Sequence, residues 1–167
     1  MRVPRASRPY MPGYGIARAT EGRGLLPWSW AEERLTMSHD YWVATVAPAG
    51  RSHLMPVWGV WLDDAWWFSS SLRSRKARNI AVTGRCTAST DNAFQPVVLE
   101  RPVDQATDQP RIERFLAATN AKYHTDYELD FLDPAVNATF RVVPDWVFTL
   151  DEADFAGSPT RWMFDLE

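Results

Sequence analysis

The stretch YWVATVAPAGRSHLMPVWGVWLDDAWWFSS, residues 41–70, constrains the fold most, because it places three strand-like segments in direct succession. These segments, 41–47, 52–62 and 65–70, are rich in the aromatic and β-branched residues that favour strands. The connections PAGR and Asp63-Asp64 have the length of hairpin turns. Parallel strands need crossover connections of roughly a dozen residues or more. The sequence therefore predicts a consecutive antiparallel meander.

The rest of the chain adds three strands and three helices to this meander. Further strands are predicted at 85–91, 95–103 and 139–152, the last bent or broken at Pro144. Helices are predicted at 30–38, where Ser29 and Glu32 have capping-box spacing, at 75–82 behind Ser74 as N-cap, and from Asp108 to about Tyr123. This order predicts a mainly β fold with peripheral helices, in the form of a small closed six-stranded antiparallel barrel.

Length and composition predict one folded domain. The chain has 167 residues, which suits a single domain with its own core. Residues 1–24 are rich in Pro, Gly and Arg and are predicted to be a flexible segment without regular structure, which leaves 25–167 as the domain. Nine Trp exceed what one small core needs, so we expect a homodimer with a large apolar interface.

Charge, cysteine content and hydropathy exclude several classes of protein. The net charge is −3 and the pI is about 5.6, which argues against a surface for nucleic acid. Cys86 is the only cysteine, so neither an intrachain disulfide nor a cysteine-based metal site can form. No apolar run has the length of a membrane span. We expect a cytoplasmic protein that binds neither nucleic acid nor membrane.

Sequence motifs for metal binding or nucleophilic catalysis are missing from the chain. The spacing of His39, His53 and His124 matches no metal site, so none is predicted. The sequence has no glycine-rich dinucleotide fingerprint, no Walker loop and no nucleophile elbow. No serine, histidine and aspartate stand out as a catalytic set.

A cluster of positive charge lies at the predicted start of the helix 75–82. Four cations fall within six residues: Arg73, Arg75, Lys76 and Arg78. A helix N-terminus already carries about half a positive charge and favours anions. Free backbone N–H groups, hydroxyls from Ser69, Ser70 or Ser74, and the side chains of Arg75 and Lys76 would together form a phosphate cradle. The alternative interpretation is a solvated cationic turn.

The strand before this cluster contains a proline and a glycine among large aromatic residues. Pro56 cannot donate to a strand ladder, and Gly59 is flanked by Trp58 and Trp61. Such a backbone indicates either a β-bulge at a barrel corner or close approach of a ligand. A flat apolar slot beside a phosphate cradle would suit a flavin-like cofactor.

The order of these segments resembles the split-barrel flavin and deazaflavin oxidoreductases related to pyridoxamine 5′-phosphate oxidase. The likeness covers about residues 25–165 and is carried by PWSWAEERL, the Tyr-Trp strand, PVWG, the run Ser-Arg-Lys-Ala-Arg-Asn and the final SPTRWMF. The chain is most similar to the branch that uses the deazaflavin coenzyme F-420.

The resemblance implies an FMN-binding-like split barrel, a homodimer, and coenzyme F-420 or FMN bound in grooves between the two barrels. It implies that the cofactor phosphate lies near Ser74, Arg75, Lys76 and Asn79. It also implies that the tricyclic ring runs beside His53, Leu54, Met55, Pro56, Val57 and Trp58, and that Trp162 closes the site near the dimer seam. The cofactor of this family performs hydride transfer, so no dedicated catalytic residue is expected.

The leading hypothesis is an oxidoreductase that passes hydride from a deazaflavin or FMN to a small unsaturated or quinone-like molecule. The alternative is a non-catalytic protein that binds flavin, haem or a tetrapyrrole. A haem protein would need an axial ligand in the groove, for which His53 and His124 are the main candidates.

Overall fold

The structure, a computed structural model, describes residues 4–164 except for the side chain of Arg101. Its helices are α1 Trp28–Met37, α2 Arg75–Thr83 and α3 Gln109–Tyr123. Its strands are β1 Arg5–Ser7, β2 Asp40–Val46, β3 Ser52–Trp58, β4 Val60–Leu62, β5 Ala65–Ser71, β6 Arg85–Thr90, β7 Val97–Pro102, β8 Asp104–Ala106, β9 Asn137–Val142, β10 Trp146–Thr149 and β11 Thr160–Met163. Two short 3₁₀ turns lie at Leu129–Leu132 and Glu152–Asp154.

The strands form two antiparallel sheets. The larger sheet has seven strands in the order β1-β11-β10-β7-β6-β2-β3, and the smaller has four in the order β4-β5-β9-β8. Every strand pairing is antiparallel. The predicted mainly β class is confirmed. The edge position of β3 is important for the site, because β2 is its one pairing partner among residues 4–164.

The predicted strand 52–62 is divided between the two sheets at Gly59. β3 pairs with β2 in the larger sheet, while β4 pairs with β5 in the smaller one. The meander therefore holds as two hairpins but not as one continuous sheet. A Cβ atom at Gly59 would lie 2.6 Å from Trp66 Nε1 and 2.9 Å from the Trp67 carbonyl oxygen, so only glycine fits this crossing without displacement.

The predicted strand 139–152 is divided in the same way. β9 belongs to the smaller sheet and β10 to the larger one, with Pro144 between them. Proline has no N–H group to donate to a ladder, so pairing ends there and the chain can change sheets. Each of these two long predicted strands thus connects the sheets, so the six predicted strands correspond to eight observed ones. The other three strands within residues 4–164, namely β1, β8 and β11, were not predicted.

The core lies on both faces of the smaller sheet. Trp66 and Phe68 of β5 join one apolar cluster with residues of the larger sheet and of α1 and α2. Because side chains alternate along a strand, Ala65 and Trp67 lie on the other face, where they pack against α3. This two-sided burial explains why the first half of β5 is uniformly apolar in sequence.

The helix predictions are confirmed for α2 and α3, with a correction at the start of α1. The hydroxyl of Ser74 accepts a hydrogen bond from the Ala77 backbone N–H at 3.1 Å, and Asp108 caps α3 in the same manner. The prediction that Ser29 caps α1 is wrong. That helix begins at Trp28 with Pro27 at the N-cap and no side-chain cap, because the Trp30 backbone N–H already donates to the Pro27 carbonyl at 3.0 Å.

The prediction that residues 1–24 lack regular structure is wrong for Arg5–Ser7. These residues form β1, which pairs with β11 at the edge of the larger sheet. Arg8 Nη1 donates to the Pro159 carbonyl at 2.8 Å and Arg23 forms an ion pair with Asp151. Backbone pairing with the end of the chain thus gives the segment a structure that its composition does not predict. The division into 1–24 and 25–167 stays a prediction.

None of the helices formed by residues 4–164 combines the length and the apolar character that crossing a membrane would require.

Candidate cofactor site

The start of α2 presents hydroxyl and backbone donors at one place. Ser74 Oγ lies 2.9 Å from Ser70 Oγ at the end of β5, so the two hydroxyls are joined across the turn. Within the described residues, the backbone N–H groups of Arg75 and Lys76 donate to no acceptor. Two free N–H groups and a hydroxyl pair at a helix N-terminus form an arrangement that an anion can occupy.

The cations around this helix start have no acidic partner among the residues that the structure describes. In the part of the chain that the structure describes, no carboxylate forms an ion pair with Arg73, Arg75, Lys76 or Arg78. Lys76 is half-buried, and this burial lowers the pKa of its ammonium group because the charged form loses solvation. An ammonium that is partly removed from water and has no acidic partner fits an anionic ligand better than a solvated turn.

Alternation along β5 separates the three serines. Ser70 lies on the same face as Phe68, whereas Ser69 and Ser71 lie on the face of Trp67. Only Ser70 therefore reaches Ser74. Ser71 accepts a hydrogen bond from the Arg73 backbone N–H at 3.2 Å and shapes the turn. The structure thus does not bring Ser69 to the start of α2.

Asn79 lies behind the helix start and not on its open side. It is buried, and its Nδ2 donates to Thr45 Oγ1 of β2 at 3.0 Å. This hydrogen bond fixes α2 on β2. Asn79 is accordingly a positioning residue for the helix, and its amide is already used within the protein.

The six residues of β3 that the family resemblance places beside the ring, residues 53–58, divide between the two faces of the strand. Residues directly opposite in an antiparallel pair share a face. His53, Met55 and Val57 pair with Thr45, Val43 and Tyr41, all of which are buried on the inner face. Leu54, Pro56 and Trp58 pair with Ala44, Trp42 and Asp40 on the outer face. A ligand that lies flat on one side of β3 can meet only one of these sets directly.

His53 lies within electrostatic range of the cations at the start of α2. Burial, together with the nearby cations of Arg75 and Lys76, lowers the pKa of His53. The inner face of the edge strand thus adjoins the hydroxyls and cations at the helix start. We name this set, Ser70, Ser74, Arg75, Lys76 and His53, the cradle.

Two aromatic residues of the sequence-predicted site lie elsewhere. Trp58 stacks on Tyr123 of α3, with ring centroids 4.1 Å apart and planes 4° apart. Trp162 is 1% exposed and lies in the core, where it packs against Trp28. β11, which carries Trp162, is separated from β3 by four strands. The structure therefore does not bring Trp162 to the cradle within one chain.

Sequence reasoning missed a polar cluster that holds the crossing at Gly59. Lys122 Nζ donates to the Gly59 carbonyl at 2.8 Å and lies 3.0 Å from Tyr41 Oη, and burial lowers the pKa of Lys122 to about 8. Tyr123 Oη accepts from the Gly59 N–H at 2.8 Å. Lys122 and Tyr123 lie more than 60 positions from Gly59 in sequence, and no local pattern links them to it.

No group of three or more His, Cys, Asp or Glu side chains within residues 4–164 is arranged to hold a metal ion.

Comparison with known proteins identifies the family. A family model described as pyridoxamine 5′-phosphate oxidase matches residues 31–151. The chain belongs to the pyridoxamine 5′-phosphate oxidase family. The match covers β2 to β10 with all residues of the cradle, and it confirms the resemblance read from the sequence. Among curated proteins, a sequence search found no relative.

Solved structures share the fold of this family member. The conserved protein Rv2991 of Mycobacterium tuberculosis is 17% identical with a TM-score of 0.68, covering 76% of this chain and 86% of its own. An F420 reductase is 22% identical with a TM-score of 0.57, covering 70% and 94%. General Stress Protein 26 of Bacillus anthracis is 13% identical with a TM-score of 0.60, covering 74% and 92%. At these identities the likeness establishes the fold alone.

Proposed function

We propose that this member of the pyridoxamine 5′-phosphate oxidase family is an oxidoreductase that binds FMN or coenzyme F-420 through the cradle. The observation that carries the proposal is the half-buried Lys76 at a helix N-terminus, surrounded by cations without an acidic partner in the described residues. A phosphate would supply the missing negative charge and accept the free N–H groups of Arg75 and Lys76. The similarity in fold to an F420 reductase supports coenzyme F-420 as the cofactor, and membership of the family supports FMN.

The residues present fit such a cofactor in two parts. Ser74, Arg75 and Lys76 would hold the phosphate, with Ser70 orienting the Ser74 hydroxyl. Met55 and Val57 on the inner face of β3 would exclude water from one side of the ring, and His53 could donate to a ring heteroatom. When bound, the cofactor supplies hydride transfer to a small unsaturated or quinone-like molecule.

The remaining residues of the sequence-predicted set have other roles in this proposal. Asn79 holds α2 in place through Thr45. Leu54, Pro56 and Trp58 face the outer side of β3, where a second copy of the chain would contact them. Trp162 contributes to the core that supports the site, whereas Ser69 lies on the Trp67 face of β5, away from the start of α2. The protein thus binds and orients the cofactor, without a catalytic residue of its own.

Titration with three ligands tests the cofactor. FMN or coenzyme F-420 is expected to saturate the protein with a shift of its absorbance band. Riboflavin, which lacks the phosphate, is expected to bind about 10-fold or more weakly than FMN, because one charge-assisted contact contributes roughly 1.5–3 kcal/mol. The reduced complex is then mixed with a benzoquinone, and reoxidation of the cofactor is followed by absorbance.

Different results would lead to different conclusions. Tight binding of cofactor without reoxidation by any quinone or unsaturated acceptor would favour the non-catalytic alternative. Binding of haem without binding of FMN or coenzyme F-420 would contradict the proposal that the cradle holds a cofactor phosphate. Equal affinity for FMN and riboflavin would reject the phosphate role while leaving the ring site open.

We also propose that the protein is a homodimer. Leu54 and Trp42 are neighbours on the outer face and are 56% and 43% exposed, and β3 is an unpaired sheet edge. An exposed apolar strand at an edge invites association, and a contact with a second copy would cover it.

The oligomeric state is measured by sedimentation velocity at micromolar concentration. Leu54→Asp is expected to shift the protein from dimer to monomer, because a buried unpaired carboxylate opposes association. Val82→Asp is the matched control, since Val82 is 67% exposed on α2 and away from this face. A monomeric unmodified protein, or a Leu54→Asp variant that remains fully dimeric, would contradict the proposed interface.

A further inference from the structure

A cavity that is distinct from the cradle lies on the face of the smaller sheet that packs against α3. It has a volume of about 330 Å³ and is lined by Leu62, Asp63, Trp67, Arg111, Arg114 and Arg141. The volume lies at the lower end of the range for small-molecule pockets. Three arginines around one cavity of this size are an unusual lining, and the pairing of each arginine indicates what the cavity can accept.

Two of the three arginines already have acidic partners. Arg111 pairs with Asp108 at 2.5 Å and with Asp104 at 3.4 Å. Arg114 pairs with Asp63. Because these carboxylates neutralise both guanidinium groups, Arg111 and Arg114 add little net charge to the cavity.

Arg141 is different, since its guanidinium forms no hydrogen bond and no ion pair with any residue of 4–164. Asp104 is its direct neighbour across the β8–β9 pair, but the Asp104 carboxylate is directed to Arg111. The guanidinium of Arg141 lies instead over the Trp67 ring, 5.7 Å from the ring centroid. Arg141 is half-buried and lines the cavity, and none of its five N–H donors has an acceptor among residues 4–164.

We propose that this cavity binds a small carboxylic acid through Arg141. A guanidinium presents two parallel N–H donors that match the two oxygens of a carboxylate. Arg141 is the one arginine of the three without a carboxylate partner in residues 4–164, while Asp63, Asp104 and Asp108 balance the three arginines in number. With one free guanidinium and no excess positive charge, the cavity favours a monoanion over a dianion such as phosphate. Leu62 and the edge of Trp67 provide an apolar surface for the body of the acid.

This site is separate from the cradle. Trp67 and Ser70 lie on opposite faces of β5, as alternation along the strand requires. The proposal therefore does not depend on which cofactor the cradle binds, and the two sites can be occupied at the same time.

The test uses benzoate as the carboxylate probe and benzyl alcohol as its uncharged match. Binding to the full-length protein is followed by NMR through the arginine Nε–Hε signals, with the Arg141 signal assigned from its loss in Arg141→Gln. Benzoate is expected to shift the Arg141 signal and to saturate. Arg141→Gln is expected to weaken benzoate binding by about tenfold or more, which corresponds to loss of one charge-assisted contact.

Two further variants show whether binding needs the paired N–H donors of the guanidinium or only its positive charge. Arg141→Lys keeps the charge and most of the packing on Trp67, and is expected to bind with an intermediate affinity. Arg85→Gln removes an exposed arginine of β6 and is expected to bind benzoate as the unmodified protein does. Thermal unfolding of each variant verifies that the cavity is still folded.

Three results would overturn the proposal. The first is equal affinity of Arg141→Gln and the unmodified protein for benzoate. The second is equal binding of benzyl alcohol and benzoate. The third is displacement of benzoate by saturating FMN, which would place the probe in the cradle. Unchanged benzoate affinity in the presence of FMN supports a separate site.

Discussion

Trp162→Ala is expected to lower the free energy of unfolding by about 3–5 kcal/mol, the largest effect of any change considered for this protein. The side chain is 1% exposed and packs edge-on against Trp28, between β10 on one side and β1 on the other. Removing the indole leaves a cavity that the surrounding strands cannot close. The measurement is urea denaturation followed by far-ultraviolet circular dichroism.

The comparison with Phe94→Ala shows whether burial is the cause. Phe94 is 67% exposed, so its truncation is expected to change stability by less than about 0.5 kcal/mol. Trp162→Phe is expected to cost less than Trp162→Ala and keeps enough folded protein for cofactor titration. If Trp162 instead formed a wall of the cofactor site, Trp162→Phe would weaken cofactor binding while leaving stability nearly unchanged. That outcome would contradict the core position.

Turns and caps could be predicted from sequence because their causes are local. The tight turn at Asp63-Asp64 has positive φ angles of 53° and 55°, which aspartate tolerates better than most residues. Ser74 and Asp108 cap their helices through their own side chains. Each of these features depends on residues within three or four positions, so a short stretch of sequence contains all the information.

The division of strands between sheets could not be predicted, because its causes are distant in sequence. The pattern of 52–62 is that of one strand, and nothing in it shows that Trp66 and Trp67 approach the backbone at Gly59. Pairing of Arg5–Ser7 with β11 likewise joins residues more than 150 positions apart. The core position of Trp162 could not be predicted for the same reason, since its contacts are with α1 and with strands on both sides.

The candidate site combines features that could be predicted from local sequence with features that depend on residues distant in sequence. Ser74, Arg75 and Lys76 form one local motif, and the sequence alone identifies it. The alternation of Ser69 and Ser70 follows from the period of a strand, but only after β5 is known to extend to Ser71. The bond between Asn79 and Thr45 spans 34 positions and has no signature in either segment. The local motif thus predicts an anionic ligand, while the sheet decides which side chains lie near the motif.

Lys76→Ala is expected to weaken the binding of FMN or coenzyme F-420 by about 10- to 150-fold, equivalent to roughly 1.5–3 kcal/mol. The ammonium group is half-buried, lies at the positive end of α2 and has no acidic partner in the described residues, so a bound phosphate would be its main counter-charge. Stability of the free protein is expected to stay the same or rise slightly. Burial lowers the pKa of Lys76, which means that folding disfavours its charged form, and the variant no longer carries this cost.

Affinity for FMN and for riboflavin is measured by fluorescence titration in each variant at two salt concentrations. The loss caused by Lys76→Ala is expected to disappear for riboflavin, because the missing contact is with the phosphate. Arg75→Ala is expected to resemble Lys76→Ala, whereas Arg73→Ala precedes the N-cap and is expected to have a smaller effect. General attraction of anions would instead give equal, small losses at all three positions that vanish with added salt. That pattern would mean that the run SLRSRKARN is a solvated cationic turn, and it would remove the main support for a cofactor phosphate at α2.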